Sequence, residues 1–182
     1  MTGNKLYGKR GLAWVLLLTL IVGTTACRKT DDSTTRWRIE NEAAFRAYEN
    51  RKDYSKIQVD GSNGFVYMKW LHKGDGKNYP IATSRVYVHY QTYELAGSGQ
   101  LLDNNYSSEK PTLLYLHRGQ KASVEGFSIG LQNMVEGDET EIIVPWYLAY
   151  KEIGDRNKGI SGYTALRFVV KLDSIVPEED ND

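Results

Sequence analysis

Gly126-Phe-Ser128-Ile-Gly130 is the stretch of this chain whose spacing could carry a nucleophile. A serine with glycines two residues to either side is the pattern of a strained strand-to-helix turn that exposes a reactive hydroxyl. The chemistry would be acyl transfer, with a histidine taking the serine proton. The context argues against it. His72, His89 and His117 all precede Ser128, whereas this arrangement needs its histidine afterwards. Lys121-Ala-Ser-Val-Glu125 is no buried strand. Metal chemistry is equally poorly served. The three histidines are scattered, and Asp31-Asp32 and Glu178-Glu179-Asp180 fall near the ends of the chain. Gly74-Asp-Gly76 lacks the repeated oxygen ligands of a calcium loop. Gly97-Ser-Gly99 lacks the third glycine and the following helix of a phosphate cradle. No metal and no cofactor are expected, and His89 is expected to face solvent.

An apolar and aromatic set remains, with Tyr90, Phe127 and Phe168 in it. Such residues can strip water from a substrate and fit its shape, chemistry that needs no nucleophile, metal or proton shuttle. Any small sheet domain would also bury residues of these types. Composition alone does not separate core from cleft.

The elements that must position this set are legible as periodicities. Phe65–Leu71 reads as a strand. Val86, Val88 and Tyr90 share one face of the next, with Tyr87 and His89 on the other. Gly97-Ser-Gly99 is a tight connection, and Leu113–Leu116 is a short apolar run with strand character. Phe127, Leu131 and Met134 stand at i, i+4 and i+7, one face of a short helix that Glu136-Gly137 would end. Thr140, Ile142 and Val144 share a face of strand Glu139–Val144. Leu166, Phe168, Val170 and Leu172 point one way along the last strand, with Arg167, Val169, Lys171 and Asp173 opposite. Ahead of these, a helix is expected from about Arg36 to Arg51, capped by Thr34 or Thr35 and docked on the domain or mediating self-association. Residues 28–35 are polar and expected to be unstructured. Asp60–Gly64 is a strong turn. Many strands and one single-faced helix make an α+β fold: a curved antiparallel sheet wrapped around one short helix, with a helical extension at the N-terminus.

Val88-His-Tyr90, Gly126-Phe-x-x-Gly130-Leu-x-x-Met134-x-x-Gly137, Leu148-Ala-Tyr150 and Leu166-Arg-Phe168, in this order and spacing, resemble the FKBP-type peptidyl-prolyl isomerases over roughly residues 65–176. The resemblance implies an apolar cleft that grips a proline and eases rotation about the preceding peptide bond. Phe127 would stand where the family has a tryptophan floor, and Tyr90 and Phe168 would wall the proline ring. Val124 matches the aliphatic residue whose neighbouring backbone bonds the peptide. Asp103 matches the acid beside the cleft, Tyr150 the tyrosine that reaches a substrate carbonyl, and Ile160 the flap residue before the last strand. Asp103, Tyr150 and Phe127 would thus be catalytic, and Tyr90, Leu102, Val124, Ile160 and Phe168 substrate-binding. The chain departs from the family at Leu102, where a phenylalanine is usual, at Lys151, where a glycine is usual, and at Ser161-Gly162, where two prolines are usual. The aromatic residue of the preceding strand has only Thr112 or Leu114 as counterparts. The implied partners are proline-containing polypeptides among exported proteins. The alternatives are a non-catalytic peptide-binding or chaperone module and a structural protein with a filled core.

The N-terminus carries an address. Lys5, Lys9 and Arg10 precede the apolar run Leu12–Val22, whose 11 residues suit a signal core. Spanning a bilayer needs about 20. Thr24-Thr-Ala-Cys27 then resembles a bacterial lipobox, with Cys27 the lipidation site and the membrane reached through that anchor. An ordinary secreted protein with a free thiol is the other reading. Cys27 is the single cysteine, so no internal disulfide can form. The expected organisation is a signal peptide at 1–26, a tether and helix at 27–60, the isomerase-like domain at 61–177 and an acidic tail at 178–182. Removing 1–26 leaves 20 basic and 23 acidic residues, a net charge of −3. With no basic stripe, nucleic acid is not an expected partner. The expected location is the bacterial cell envelope, anchored at the outer membrane. Asp31-Asp32 hints at its outer face.

Overall fold

The computed structural model describes residues 30–58, 64–116 and 123–177, with side chains from Asp32 onward. Helix α1 spans Thr30–Arg46. The strands are β1 Ser55–Gln58, β2 Phe65–His72, β3 Arg85–Glu94, β4 Leu101–Asn104, β5 Thr112–Tyr115, β6 Glu139–Val144 and β7 Leu166–Val176, with helix α2 Glu125–Leu131 between β5 and β6. All pairings are antiparallel, in the order β1-β2-β6-β7-β3-β4. Strand β5 also pairs with β3, along Arg85–Val88, while β4 takes Gln91–Tyr93.

Period-two alternation decides which face of the sheet is which. Val66, Met68, Val86, Val88, Ile142, Val144, Leu166, Phe168, Val170 and Leu172 are buried and pack with Phe127, Ile129, Leu131 and Met134 from α2 and the turn after it. The expected faces of β3, β6 and β7 are those observed. The short helix ends at Leu131 rather than at Glu136-Gly137. Met134 stays buried because Asp138 pins the turn, accepting from Val135 N (3.0 Å), Gly74 N (2.8 Å) and Trp70 Nε1 (3.1 Å).

Gly126 and Gly130 have a packing role. A Cβ on Gly126 would lie 2.3 Å from Val144 Cγ1, and one on Gly130 would lie 2.4 Å from Ile142 Cδ1. The glycines of the serine-centred motif let α2 settle onto β6. Ser128 itself is buried, and its Oγ donates to Leu116 O at 2.5 Å.

Helix α1 covers the opposite face. Phe45 joins Tyr67 and Ile143 there, with Tyr48, Tyr54, Phe65 and Leu95 around them. Its polar side is specific as well. Trp37 Nε1 donates to Thr164 Oγ1 (3.1 Å), and buried Asn41 accepts from Ala165 N (2.9 Å).

The helix differs from the expected Arg36–Arg51. It is already helical at Thr30, the first described residue and inside the stretch expected to be unstructured, and gives way after Arg46 to tighter turns such as Tyr48 N to Phe45 O, 3.1 Å. Asp32–Arg36 lie exposed, and polarity there does not forbid helix. Strand β1 was not foreseen. It lies ahead of residue 61, where the domain was expected to begin, and pairs with β2. His89 also departs from its expected exposure. Its side chain is 15% exposed, held by Asp173 Oδ2 (2.7 Å) and Ser108 O (3.1 Å). The signal segment 1–26, Cys27, most of the 60–64 turn and the 178–182 tail expected from the sequence lie outside the described residues.

Candidate active site

The cleft opens where the edge of the sheet changes partner. Between β4 and β5 the ladder on β3 is interrupted, and Asn105 fills the gap. Its side chain accepts from Tyr90 N (2.6 Å) and donates to Val88 O (3.0 Å) and Thr112 Oγ1 (2.8 Å), while its own N–H donates to Tyr90 O (3.0 Å). This supplies the backbone partners a missing strand would have given. It also fixes Tyr90 at the seam.

A cavity of about 410 Å³ lies there, lined by Tyr90, Thr92, Asp103, Thr112, Leu113, Leu114, Ser123, Val124, Phe127, Tyr150, Lys158 and Phe168. That is within the usual range of about 300–1,000 Å³ for small-ligand sites. Phe127 enters from α2 and stacks on Phe168 of β7, ring centroids 4.2 Å apart and planes 10° apart. Tyr90 meets Phe127 edge-on at 6.1 Å. The stack makes a rigid apolar floor, since both phenylalanines are buried.

Polar groups sit at the rim. Tyr90 Oη donates to Asp103 Oδ2 at 2.8 Å. Burial, and then the bond to Asp103 and its charge, push the Tyr90 phenol well above its ordinary range. Lys158 Nζ donates to Tyr150 Oη at 2.9 Å. Burial pulls the Lys158 ammonium down, but the Tyr150 bond and the charges of Asp155 and Asp103 together outweigh it, so the net direction is up.

Six of the eight expected site residues come together: Tyr90, Asp103, Val124, Phe127, Tyr150 and Phe168. Leu102 and Ile160 do not line the cavity. Leu102 packs sideways against the core. Ile160 is buried, and its backbone pairs with that of Asp155, both bonds 2.8 Å, closing the β6–β7 loop on itself. Thr112 and Leu114, the proposed counterparts of the missing aromatic, do line it. Thr92, Leu113, Ser123 and Lys158 were not foreseen. Thr92 could have been, since it lies two residues beyond Tyr90 on the same face of β3.

Lys151, where the family has glycine, keeps a glycine-like conformation with φ at 57°. Its N–H donates to Trp146 O (3.0 Å) and its carbonyl accepts from Tyr163 N (2.8 Å), which holds the start of the loop in place.

A curved antiparallel sheet packed on one short helix is the expected architecture; its seven strands carry an aromatic cleft where β4 and β5 meet on β3. The profile of the FKBP-type peptidyl-prolyl cis-trans isomerase family matches residues 76–173, and the chain belongs to that family. Among curated proteins it is similar to the macrophage infectivity potentiator of Trypanosoma cruzi, 32% identical over 130 residues, which are 71% of this chain and 62% of that protein. It is also similar to the peptidyl-prolyl cis-trans isomerase FKBP10 of Bos taurus, 33% identical over 87 residues, 48% of this chain and 14% of that protein. The chain therefore spans less than two thirds of either relative. Among solved structures, FkpA from Escherichia coli matches with a TM-score of 0.68 at 20% identity, covering 96% of this chain and 76% of that one. A peptidyl-prolyl cis-trans isomerase from Pseudomonas syringae matches with a TM-score of 0.64 at 23% identity, covering 79% of this chain and 96% of that one. At these identities the structural likeness speaks to the fold.

Proposed function

We propose that this chain catalyses cis–trans isomerisation of X–Pro bonds in polypeptides, in the cleft above the Phe127–Phe168 stack. The observation that carries the reading is an open cavity of about 410 Å³ lined by the stacked Phe127 and Phe168 and by Tyr90 and Tyr150. The X–Pro bond prefers trans by only about 0.5–1 kcal/mol, yet isomerises over tens to hundreds of seconds. The barrier of about 18–20 kcal/mol comes from amide resonance. A planar amide is more charge-separated than a twisted one, so taking it out of water weakens the planar form more. Shape complementarity to the twisted amide adds to this. Each tenfold in rate asks for about 1.36 kcal/mol, so a few kcal/mol of such selectivity suffices.

In this reading Phe127, Phe168 and Tyr90 desolvate the proline ring, with Val124 beside them. Tyr150 bonds the peptide and Asp103 holds Tyr90. Leu102 packs on the core beside the cavity, and Ile160 closes the β6–β7 loop. The test is a protease-coupled isomerisation assay on a short X–Pro peptide, using the full chain in mild detergent. Acceleration is expected. Peptide binding without turnover would instead make the chain a non-catalytic peptide-binding module.

We further infer that residues 1–26 are a signal peptide and that Cys27 carries lipid, tethering the domain to the bacterial cell envelope at the outer membrane. The basic start, the 11-residue apolar run and the small residues before a single cysteine support this. No helix among the described residues is long and apolar enough to cross a membrane. The clients would be exported proteins whose folding waits on proline. Metabolic labelling with a radioactive fatty acid should mark the wild type and not Cys27→Ala. Protease shaving of intact cells reports which face of the membrane it occupies.

A further inference from the structure

We propose that Lys158 is a positioning residue that fixes the polarity of the Tyr150 hydroxyl, so that the cleft meets a peptide with one phenolic acceptor, Tyr90, and one phenolic donor, Tyr150. This assigns a role to a residue outside the expected site, and it rests on the isomerase reading.

A phenol can donate one proton and can also accept. Left alone it turns either way. Here each phenol of the cleft is committed by a charged neighbour. Tyr90 spends its proton on Asp103 Oδ2 at 2.8 Å, so what it has left to offer is an oxygen lone pair. Tyr150 has its oxygen engaged by the Lys158 ammonium at 2.9 Å. An ammonium only donates, so the phenolic O–H of Tyr150 must be directed away from it. Both residues line the cavity, so the two commitments face one bound peptide. A peptide bond offers a carbonyl and, away from proline, an N–H. Donor and acceptor phenols lining one cavity match that pair in a single orientation.

The loop is built to bring the ammonium there. Asp155 Oδ1 accepts from Asn157 N (3.0 Å) and Lys158 N (3.3 Å), capping the single turn Arg156–Lys158. Gly159, at φ 67°, then reverses the chain so that Ile160 pairs back onto Asp155. The Lys158 ammonium also lies 5.3 Å from the centre of the Tyr150 ring. Burial works against the ammonium, but the bond to Tyr150 and then the nearby charges keep its pKa above the ordinary value, in the charged form that can only donate.

The test is a double-mutant cycle in the full chain: wild type, Lys158→Met, Tyr150→Phe and the pair, with Lys158→Arg as rescue. The substrate is an uncharged blocked tetrapeptide with one X–Pro bond, which removes simple charge attraction. Lys158→Met should lower kcat/KM about five- to tenfold, the scale of one hydrogen bond. Lys158→Arg should restore most of that loss. In the Tyr150→Phe background Lys158→Met should change nothing further. The Cζ carbon shift of Tyr150, read by NMR in tyrosine-labelled protein, should move in Lys158→Met and return in Lys158→Arg.

Equal losses in both backgrounds, or an unmoved Cζ shift, would overturn the proposal. A wild type that binds the peptide without turning it over removes the isomerase reading alone. The same cycle read as peptide affinity then decides the polarity: non-additive losses uphold it and additive losses overturn it. A wild type that neither turns over nor binds the peptide overturns both.

Discussion

Tyr90 gives its phenolic proton to Asp103 across 2.8 Å, and the bond ties β3 to β4 at the mouth of the cleft. The two residues are thirteen apart in the chain, and their strands are already paired through Gln91–Asn104 and Thr92–Asp103. The hydroxyl bond therefore adds little to the fold and much to the orientation of one ring. Asp103→Ala should slow isomerisation about five- to tenfold while lowering the unfolding free energy by less than about 1.5 kcal/mol. Asp103→Asn, which keeps an acceptor oxygen, should recover most of the rate. Chemical denaturation and the coupled assay read the two effects separately. Full activity in Asp103→Ala would remove Asp103 from the site.

Phe127 has a double duty that a single substitution can separate. It is buried, and it stacks on Phe168 at 4.2 Å. Phe127→Ala should cost about 3–5 kcal/mol of stability, the range for an emptied aromatic core position. Phe127→Leu keeps most of the volume and should cost under about 1.5 kcal/mol. It still removes the flat floor, so peptide affinity should fall severalfold. Titration of a proline-containing peptide into Phe127→Leu checks this. Unchanged affinity would place the peptide elsewhere.

How much of this could be read in advance varies by element. Leu166–Leu172 alternates cleanly because one face of β7 is core, so its register was visible. The set Tyr90, Asp103, Phe127, Tyr150 and Phe168 came from the family resemblance, because periodicity places Tyr90, Phe127 and Phe168 on buried faces without separating cleft from core. Strand β1 was not visible. Ser-Lys-Ile-Gln has one apolar residue, and its pairing is carried by backbone bonds to β2, which leave no pattern in side chains. The start of α1 was hidden by six polar residues, Thr30–Thr35. Lys158 was missed for a different reason. A lysine beside Arg156 and Asn157 reads as a solvated loop, and only the Asp155 cap and the turn at Gly159 aim it at Tyr150. Ile160 was placed in the cleft by likeness, but its loop closes through Asp155 and leaves it facing inward.

Lys151 occupies a left-handed backbone position, φ 57°. For an L-residue that conformation costs about 1–2 kcal/mol. Glycine would avoid that cost but lose up to about 1 kcal/mol through its greater freedom in the unfolded chain. Lys151→Gly should therefore leave stability unchanged or raise it by about 1 kcal/mol. Lys151→Val, branched at Cβ, should lower it. Thermal unfolding of both variants gives the comparison. A marked loss in Lys151→Gly would mean that the lysine side chain makes up for its backbone.

Acid should loosen α1 through Glu42. Its carboxylate accepts from Arg38 Nε (2.8 Å) and from Trp146 Nε1 (3.3 Å), which joins the helix to the turn after β6. The bond to Arg38 lowers its pKa below the ordinary 4.5. Burial opposes this, and Trp146 reinforces the lowering. A carboxyl lowered on folding stabilises the folded state fully above its unfolded value. That contribution is lost as pH falls from about 4.5 through the lower folded value. The group is a third exposed, so the effect is a shallow slope rather than a collapse. Other carboxylates titrate in the same window, which makes the difference between wild type and Glu42→Gln the quantity to read. Stability of the wild type should fall more steeply than that of Glu42→Gln below pH 4.5, and the two should run parallel above pH 6. Denaturant unfolding followed by tryptophan emission measures it, because Trp146 and Trp37 both lie along this helix. Parallel slopes throughout would mean that Glu42 is as free in the folded protein as in the unfolded chain.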